Sequence, residues 1–464
     1  MTLPTSPNPS RRPAQILALL TALLTILIFA HTPWLNGTWY WQWMWIRLPA
    51  IEIVPAILLA AIPALLGICL YERRLPAPVG LACVMLSVFL MQFACARRPD
   101  DPLALHRLTS VVGGAVSSSY FRSAGRLLAE GLPSQPRWLA TYPAHMHELF
   151  LHAQNKPPGL VLIHMPLIQY FGFNEVAALL AGLCMAALTP LCVPAVYCML
   201  RALTHDRKSA FHGAALLAFM PALLLLFPAW DQTFPIFTAA LVALWARAVD
   251  TGRWPYAILF ALCLAITTFF TFNLLVLGLF LAGYAAAHFC LTPTPTTALR
   301  LIRLSTCAIG TFIALYTILF LTTGYNPLAT LHAGLINQHE LERTFLKRPY
   351  PITIPFDILD FLLGTGWIAT VAIGFYLHRQ ISSRHWRSPG FIITTLVIGQ
   401  ILILAATGLL TVETARVWMF LIPLFLIPAA LEISRWTPKA RLVIYLSLLC
   451  IVIALTLNMR FVAV

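Results

Sequence analysis

Long apolar runs recur along this chain, and they decide its fold class before any motif does. They fall near 14–30, 51–70, 79–96, 175–200, 210–228, 233–249, 256–270, 272–291, 303–322, 355–377, 390–411, 416–433 and 441–457. Most are about 17–25 residues long, enough to cross ~30 Å of hydrocarbon as a helix. Lipid offers no partner to an unpaired backbone group, so only helices and closed barrels span it. A barrel would show strands of about 10 residues alternating in polarity. These runs are instead continuously apolar and rich in Leu and Ala. The expected fold is all-α, a polytopic transmembrane bundle of about 13 helices with amphipathic helices on its outer face. With 60% hydrophobic and 10% charged residues, a soluble fold is excluded.

The net charge of +14 would suggest acidic partners in a soluble protein, but here the basic residues sit mostly in short loops between apolar runs. They read as topology signals, and nucleic acid is not an expected partner. The ten cysteines lack the paired spacing of a zinc or redox motif and read as small apolar residues. The run from Ala14 to Ala30 follows Arg11 and Arg12 without a small-residue cleavage site, so it reads as a signal anchor.

One further apolar stretch, Pro157 to Phe171, is about 15 residues, short for a crossing and more typical of an interfacial or re-entrant helix. If it stays on one side, Arg11/Arg12, Arg73/Arg74, Arg201/Arg207/Lys208, Arg253, Arg300/Arg303, Arg379/Arg384/Arg387 and Arg435/Lys439/Arg441 all share one face. That face is then the inside, which puts the N-terminus in the cytoplasm and the C-terminus outside. Three regions follow: a tail and extra transmembrane hairpin over 1–78, a core over 79–433 with outer loops 97–174 and 323–354, and a last transmembrane helix within 434–464.

A chain that spends few polar residues marks its site by where it concentrates them. Ser119 to Glu130 reads as an amphipathic helix with Tyr120, Ala124, Leu127 and Leu128 on one face, and Arg122 and Arg126 on the other. His145 to Gln154 reads as a second helix, placing His145, Glu148 and His152 on one side. That trio has the donors for a divalent metal, although a solvated face accounts for it as well and no zinc-protease spacing is present. It is followed by Asn155-Lys156-Pro157-Pro158-Gly159, where the prolines extend Lys156 and open a helix.

His339, Glu340, Glu342, Arg343, Lys347 and Arg348 precede Pro349 and Pro351 in the second outer loop, a charge density suited to an anionic headgroup or to self-paired surface charges. Glu413 and Arg416 sit between two strongly apolar runs, where an arginine can grip phosphate or simply pair with its neighbour. Asp231 follows Phe227-Pro228-Ala229-Trp230 at an outer turn. The segment Trp39 to Trp45 reads as an interfacial aromatic belt.

In this order the motifs resemble the GT-C superfamily of membrane glycosyltransferases, the class of the protein O-mannosyltransferases and lipid A aminoarabinose transferases. The resemblance covers roughly residues 79–433. It rests on the outer loop with amphipathic helices, the Lys156-Pro157-Pro158-Gly159 element that closes it, Pro228 followed by Asp231, and the Glu413 to Pro423 turn running into a Leu/Pro-rich helix. It implies transfer of a sugar from a polyprenyl-phosphate donor to a lipid, glycan or protein acceptor on the periplasmic face. Lys156, Arg343, Lys347, Arg348 and Arg416 would hold the donor phosphate, with Asp231, His152, Asn155 and Glu413 as further polar site residues. No metal site is assigned by it, and a divalent cation stays open as a cofactor.

Two departures from the family pattern matter. The acidic residue expected before the first loop helix is absent from Val116-Ser117-Ser118-Ser119-Tyr120, so the base falls to Asp101 or Asp100 beside the membrane, or to Glu148 near the Pro-Pro element. The hairpin over 14–30 and 51–70 precedes the family's first helix. A transporter or flippase of a lipid-linked or anionic solute is the alternative, and an inactive lipid-binding relative is a third reading. The spans hold few of the carboxylates that ion-coupled carriers need.

Overall fold

The computed structural model describes residues 11–36, 43–115, 118–341, 343, 350–411 and 413–461. Among them, nine helices are long and apolar enough to cross a membrane, and ten if one bent pair counts as a span. The protein is a polytopic helical membrane protein. Its exposed surface agrees: the Pro295–Thr323 helix leaves Ile302, Ile309, Ile313, Ile318 and Leu321 uncovered, a stripe that only lipid can solvate favourably.

Nine of the thirteen expected runs are these helices; the other four are shorter or broken. Run 210–228 is divided into Arg207–Ala215, Leu216–Phe219 and Pro221–Leu225, where Pro221 cannot donate to the preceding turn. Run 355–377 is Thr353–Gly364 joined to Trp367–Ser382 at an angle of 102°, with Gly366 at φ 71° in the corner. Trp254–Phe270 and Met419–Ile433 are short apolar helices.

The contacts of three of these segments fall at two polar ends of the bundle. His212 Nε2 lies 3.2 Å from Glu72 at one end, while the Leu225 and Phe227 carbonyls accept from Arg107 at the other. Arg379 pairs with Glu432 at 2.9 Å, whereas Asp357 O accepts from Thr414 Oγ1 at 2.6 Å. Arg416 and Glu432 are thereby set apart by the Met419–Ile433 helix, roughly 24 Å along a helical path. Lys156 stands at the Arg416 end, away from Arg379.

Loop 97–174 carries the expected amphipathic helix as Tyr120–Ala129, with Tyr120, Phe121, Ser123, Ala124 and Leu127 buried and Arg122 exposed. The expected helix over His145 to Gln154 is a correction. Tyr142–His145, Met146–Glu148 and Leu151–Asn155 are three short turns, because Leu149 and Phe150 are extended at ψ 169° and 145°. A helix absent from the sequence reading, Pro327–Leu341, covers this loop.

Two three-residue strands, Trp43–Trp45 and Met459–Phe461, pair antiparallel and tie the N-terminal hairpin to the last helix. Of the expected aromatic belt, residues 39–42 lie outside the described residues. Trp43 is buried and donates its indole to Asp360 Oδ1 at 2.7 Å, so it is a packing residue and not an interfacial one.

Candidate functional site

The site begins with the Pro-Pro element. Pro157 and Pro158 lead into Gly159–Leu162, and the backbone of Lys156 is extended at φ −117°, ψ 150°, as a residue before proline should be. Its carbonyl accepts from the buried Tyr142 hydroxyl at 3.2 Å. Gly159 permits a close approach: a Cβ there would lie 2.5 Å from the Phe269 carbonyl oxygen. That approach sets the Lys156 ammonium against Asn273, to whose Oδ1 it donates. Asn273 starts the turn after a break in the apolar helices, and its own N–H is held by Thr271 Oγ1 at 3.2 Å.

Three further charged groups converge here. Arg416 is buried, pairs with Glu413 on its own turn, and reaches His152 Nε2 at 3.3 Å in the 97–174 loop. Asp231 follows Trp230, whose indole donates to the buried His164 at 3.0 Å. The half-buried Asp231 carboxylate has no hydrogen-bond partner among the described residues, yet Lys156, Arg416 and Tyr120 all sense its charge.

The electrostatics follow from this crowding. Burial pushes the Lys156 ammonium down to about 8, with Asp231 opposing the shift and Arg416 adding to it. Arg416 is held firmly cationic: burial works against its charge, but Glu413, Asp231 and Tyr120 outweigh that. Tyr120 is raised by burial first and by Asp231 second, so its hydroxyl stays protonated and able to donate.

The Pro327–Leu341 helix roofs the loop. Asn337 Nδ2 donates to Gln154 O at 2.7 Å, Asn155 donates to Gln338, and Gly334 packs against the Asn155 carbonyl. Beside the polar cluster lies an apolar cavity of about 270 Å³, lined by Leu262, Ala265, Ile266, Phe269, Leu315 and Tyr316. Phe269 belongs both to this cavity and to the Gly159 contact, so apolar groove and Lys156 are neighbours.

Of the residues singled out in the sequence, Lys156, Arg416, Asp231, His152, Glu413 and Asn155 meet in this cluster. The three carboxylates named as bases stand apart from it. Asp101 receives the backbone N–H groups of Leu105 at 2.8 Å and Arg107 at 3.0 Å, the work of a helix cap. Asp100 is exposed beside it. Glu148 lies 3.6 Å from Arg126, 3.5 Å from His145 and 3.8 Å from His147 on the surface. With the helix broken, His152 turns away from that trio, and among the described residues no group of three His, Cys, Asp or Glu side chains is placed to hold a metal. Arg343 is exposed, while Lys347 and Arg348 lie outside the described residues.

Tyr120, Tyr142, Asn273 and Gln338 complete the cluster without having been read as functional. Uncharged residues inside or beside apolar runs carry no sequence signal for a site; only the break at Thr271 to Asn273 could have flagged one. Neither a known family profile nor any curated protein matches this chain.

Proposed function

We propose that this protein is a GT-C-like glycosyltransferase of the bacterial inner membrane that moves a sugar from a polyprenyl-phosphate donor to an acceptor on the periplasmic face. The observation that carries the reading is the meeting of Asp231, Lys156 and Arg416 in one cluster beside an apolar cavity. An amphiphilic donor needs that combination: a cationic seat for its phosphate at membrane level, and a groove for its isoprenoid chain. In this reading the Lys156 end of the bundle faces outside and Arg379, Arg435 and Lys439 face inside.

In this reading the acceptor hydroxyl oxygen attacks the anomeric carbon of the donor sugar, the bond from that carbon to the phosphate oxygen breaks, and polyprenyl phosphate leaves. Asp231 takes the hydroxyl proton, in place of the carboxylate missing before Tyr120. Its lack of a hydrogen-bond partner among the described residues leaves it open to an acceptor. Lys156 meets the negative charge that grows on the leaving phosphate, with Asn273 aiming it; Arg416, already balanced by Glu413, supplies a fixed field.

The carrier reading draws on a different observation. Glu72, His212, Arg441 and Tyr445 form a buried ionisable network at the inner end, the kind of group that transporters use. Labelled polyprenyl-phosphate sugar in proteoliposomes separates the two. Product formation that is lost in Asp231→Asn supports transfer, whereas donor translocation without product, lost in Glu72→Gln, supports the carrier.

A further inference from the structure

Trp230, the chain neighbour of Asp231, is bonded to a buried histidine that the proposed reaction does not use. His164 lies between the Gly159–Leu162 and Met165–Phe171 helices and is 1% exposed. Its Nε2 accepts the Trp230 indole N–H at 3.0 Å. An indole nitrogen only donates, so the neutral imidazole carries its proton on Nδ1. Among the described residues, that Nδ1 has no hydrogen-bond partner. Burial lowers His164 to about 3, which keeps the ring neutral and Nε2 an acceptor.

An unpaired buried N–H works against folding, so packing alone favours an apolar side chain at this position. What the imidazole offers beyond a leucine is the nitrogen that meets Trp230. Aromatic contacts steady the ring: Phe121 meets it edge-on with centroids 5.8 Å apart, and Phe121 is itself stacked on Phe173 at 5.2 Å.

Trp230 opens the turn that carries Asp231. On the other side of Asp231, Gln232 donates to Gln92 Oε1 at 3.3 Å and to Leu223 O at 2.5 Å, and accepts from Ala229 N at 3.0 Å. Thr233 closes the turn on Trp230 O at 2.8 Å. Asp231 therefore sits between two anchored neighbours. The His164 bond ties its turn to the segment that begins with the Pro-Pro element, so one stretch, 156–171, carries both Lys156 and the anchor of the carboxylate's turn.

We propose that His164 is a positioning residue: by accepting the Trp230 indole N–H it holds the Asp231 carboxylate in register with Lys156. It acts through Trp230. Its effect on rate rests on the transfer reading, in which Asp231 is the base; its effect on where the carboxylate sits does not.

The test uses the full chain in proteoliposomes with a labelled polyprenyl-phosphate sugar, on wild type, His164→Leu, His164→Gln, Trp230→Phe and the double variant of His164→Leu with Trp230→Phe. His164→Leu keeps apolar bulk and drops the unpaired N–H, so its thermal unfolding in detergent should match wild type. In His164→Leu and in Trp230→Phe, kcat should fall about 10–100-fold with donor KM unchanged, and the double variant should be no slower than either alone. His164→Gln, whose side-chain oxygen can accept the indole N–H, should recover most of the rate. Wild-type kcat in His164→Leu, a double loss equal to the product of the single losses, or a rise in KM in place of the fall in kcat overturns the proposal. Carbodiimide labelling of Asp231, read by mass spectrometry, separates it from the transfer reading. If wild type transfers nothing, labelling altered in His164→Leu and restored in His164→Gln upholds the placement while the transfer reading falls. Labelling identical in all variants overturns the placement itself.

Discussion

Lys156 donates its ammonium to Asn273, joining the Pro-Pro element of the 97–174 loop to the break between two apolar helices. The bond ties a charged residue to a neutral one, so it aims the lysine without cancelling its charge. Asp231, whose charge acts on the lysine, makes no ion pair with it. The pair of contacts divides the labour of the proposed reaction between a fixed cation and an open base.

The first prediction concerns pH. The folded-state value of about 8 lies below that of a free lysine, so Lys156 carries its charge below pH 8 and loses it above. Burying the charged form opposes folding, and that opposition is relieved as pH rises through 8; the empty protein therefore gains stability there. Donor-lipid affinity should move the opposite way, level below pH 7 and falling above 8. Lys156→Arg should flatten the fall, as read from binding of a labelled polyprenyl phosphate across that range.

Arg441 is buried with a side chain 2% exposed and pairs with Glu72 by a 2.6 Å Nε bond and a closer terminal contact. Removing one partner of such a pair leaves the other charge stranded. Arg441→Met should destabilise the protein by about 3–5 kcal/mol, and Arg441→Met with Glu72→Leu by much less, as measured by thermal unfolding in detergent.

Gly159→Ala tests the close approach to Phe269. The added methyl would meet a backbone oxygen at 2.5 Å, which cannot rotate away. A loss of about 1–3 kcal/mol is expected, together with weaker donor binding, because the same helix start carries Lys156 to Asn273.

Asp360 accepts from Trp43 Nε1 at 2.7 Å, Thr414 Oγ1 at 3.1 Å and Ala415 N at 2.9 Å. It thereby fixes the turn that presents Arg416. Asp360→Ala should cost about 1–3 kcal/mol of stability and loosen donor binding, while Trp43→Phe, which removes only one of these donors, should do less on both readouts.

How far the sequence could be read depends on what kind of signal each feature leaves. Apolar length is written directly in composition, so most spans were legible. The Tyr120–Ala129 helix was legible because its buried face repeats at helical spacing. The break at Leu149 and Phe150 was not, since neither residue forbids a helix and the break is set by packing against Ser123, whose hydroxyl holds Phe150 N at 3.1 Å. The same holds for the paired strands, too short to show alternation. Asp101 beside the membrane looked available for chemistry. Its two backbone bonds depend on a turn with Ala104 at φ 55°, which only the folded loop defines.

The most direct test of the proposed reaction is transfer from a labelled polyprenyl-phosphate sugar in proteoliposomes, comparing wild type with Asp231→Asn and Asp101→Asn. Loss of a positioned base should slow Asp231→Asn by about 10²–10⁴-fold with donor binding retained, while Asp101→Asn keeps wild-type turnover per folded molecule. Wild-type turnover in Asp231→Asn, or no transfer by wild type with any polyprenyl-phosphate donor, would contradict it.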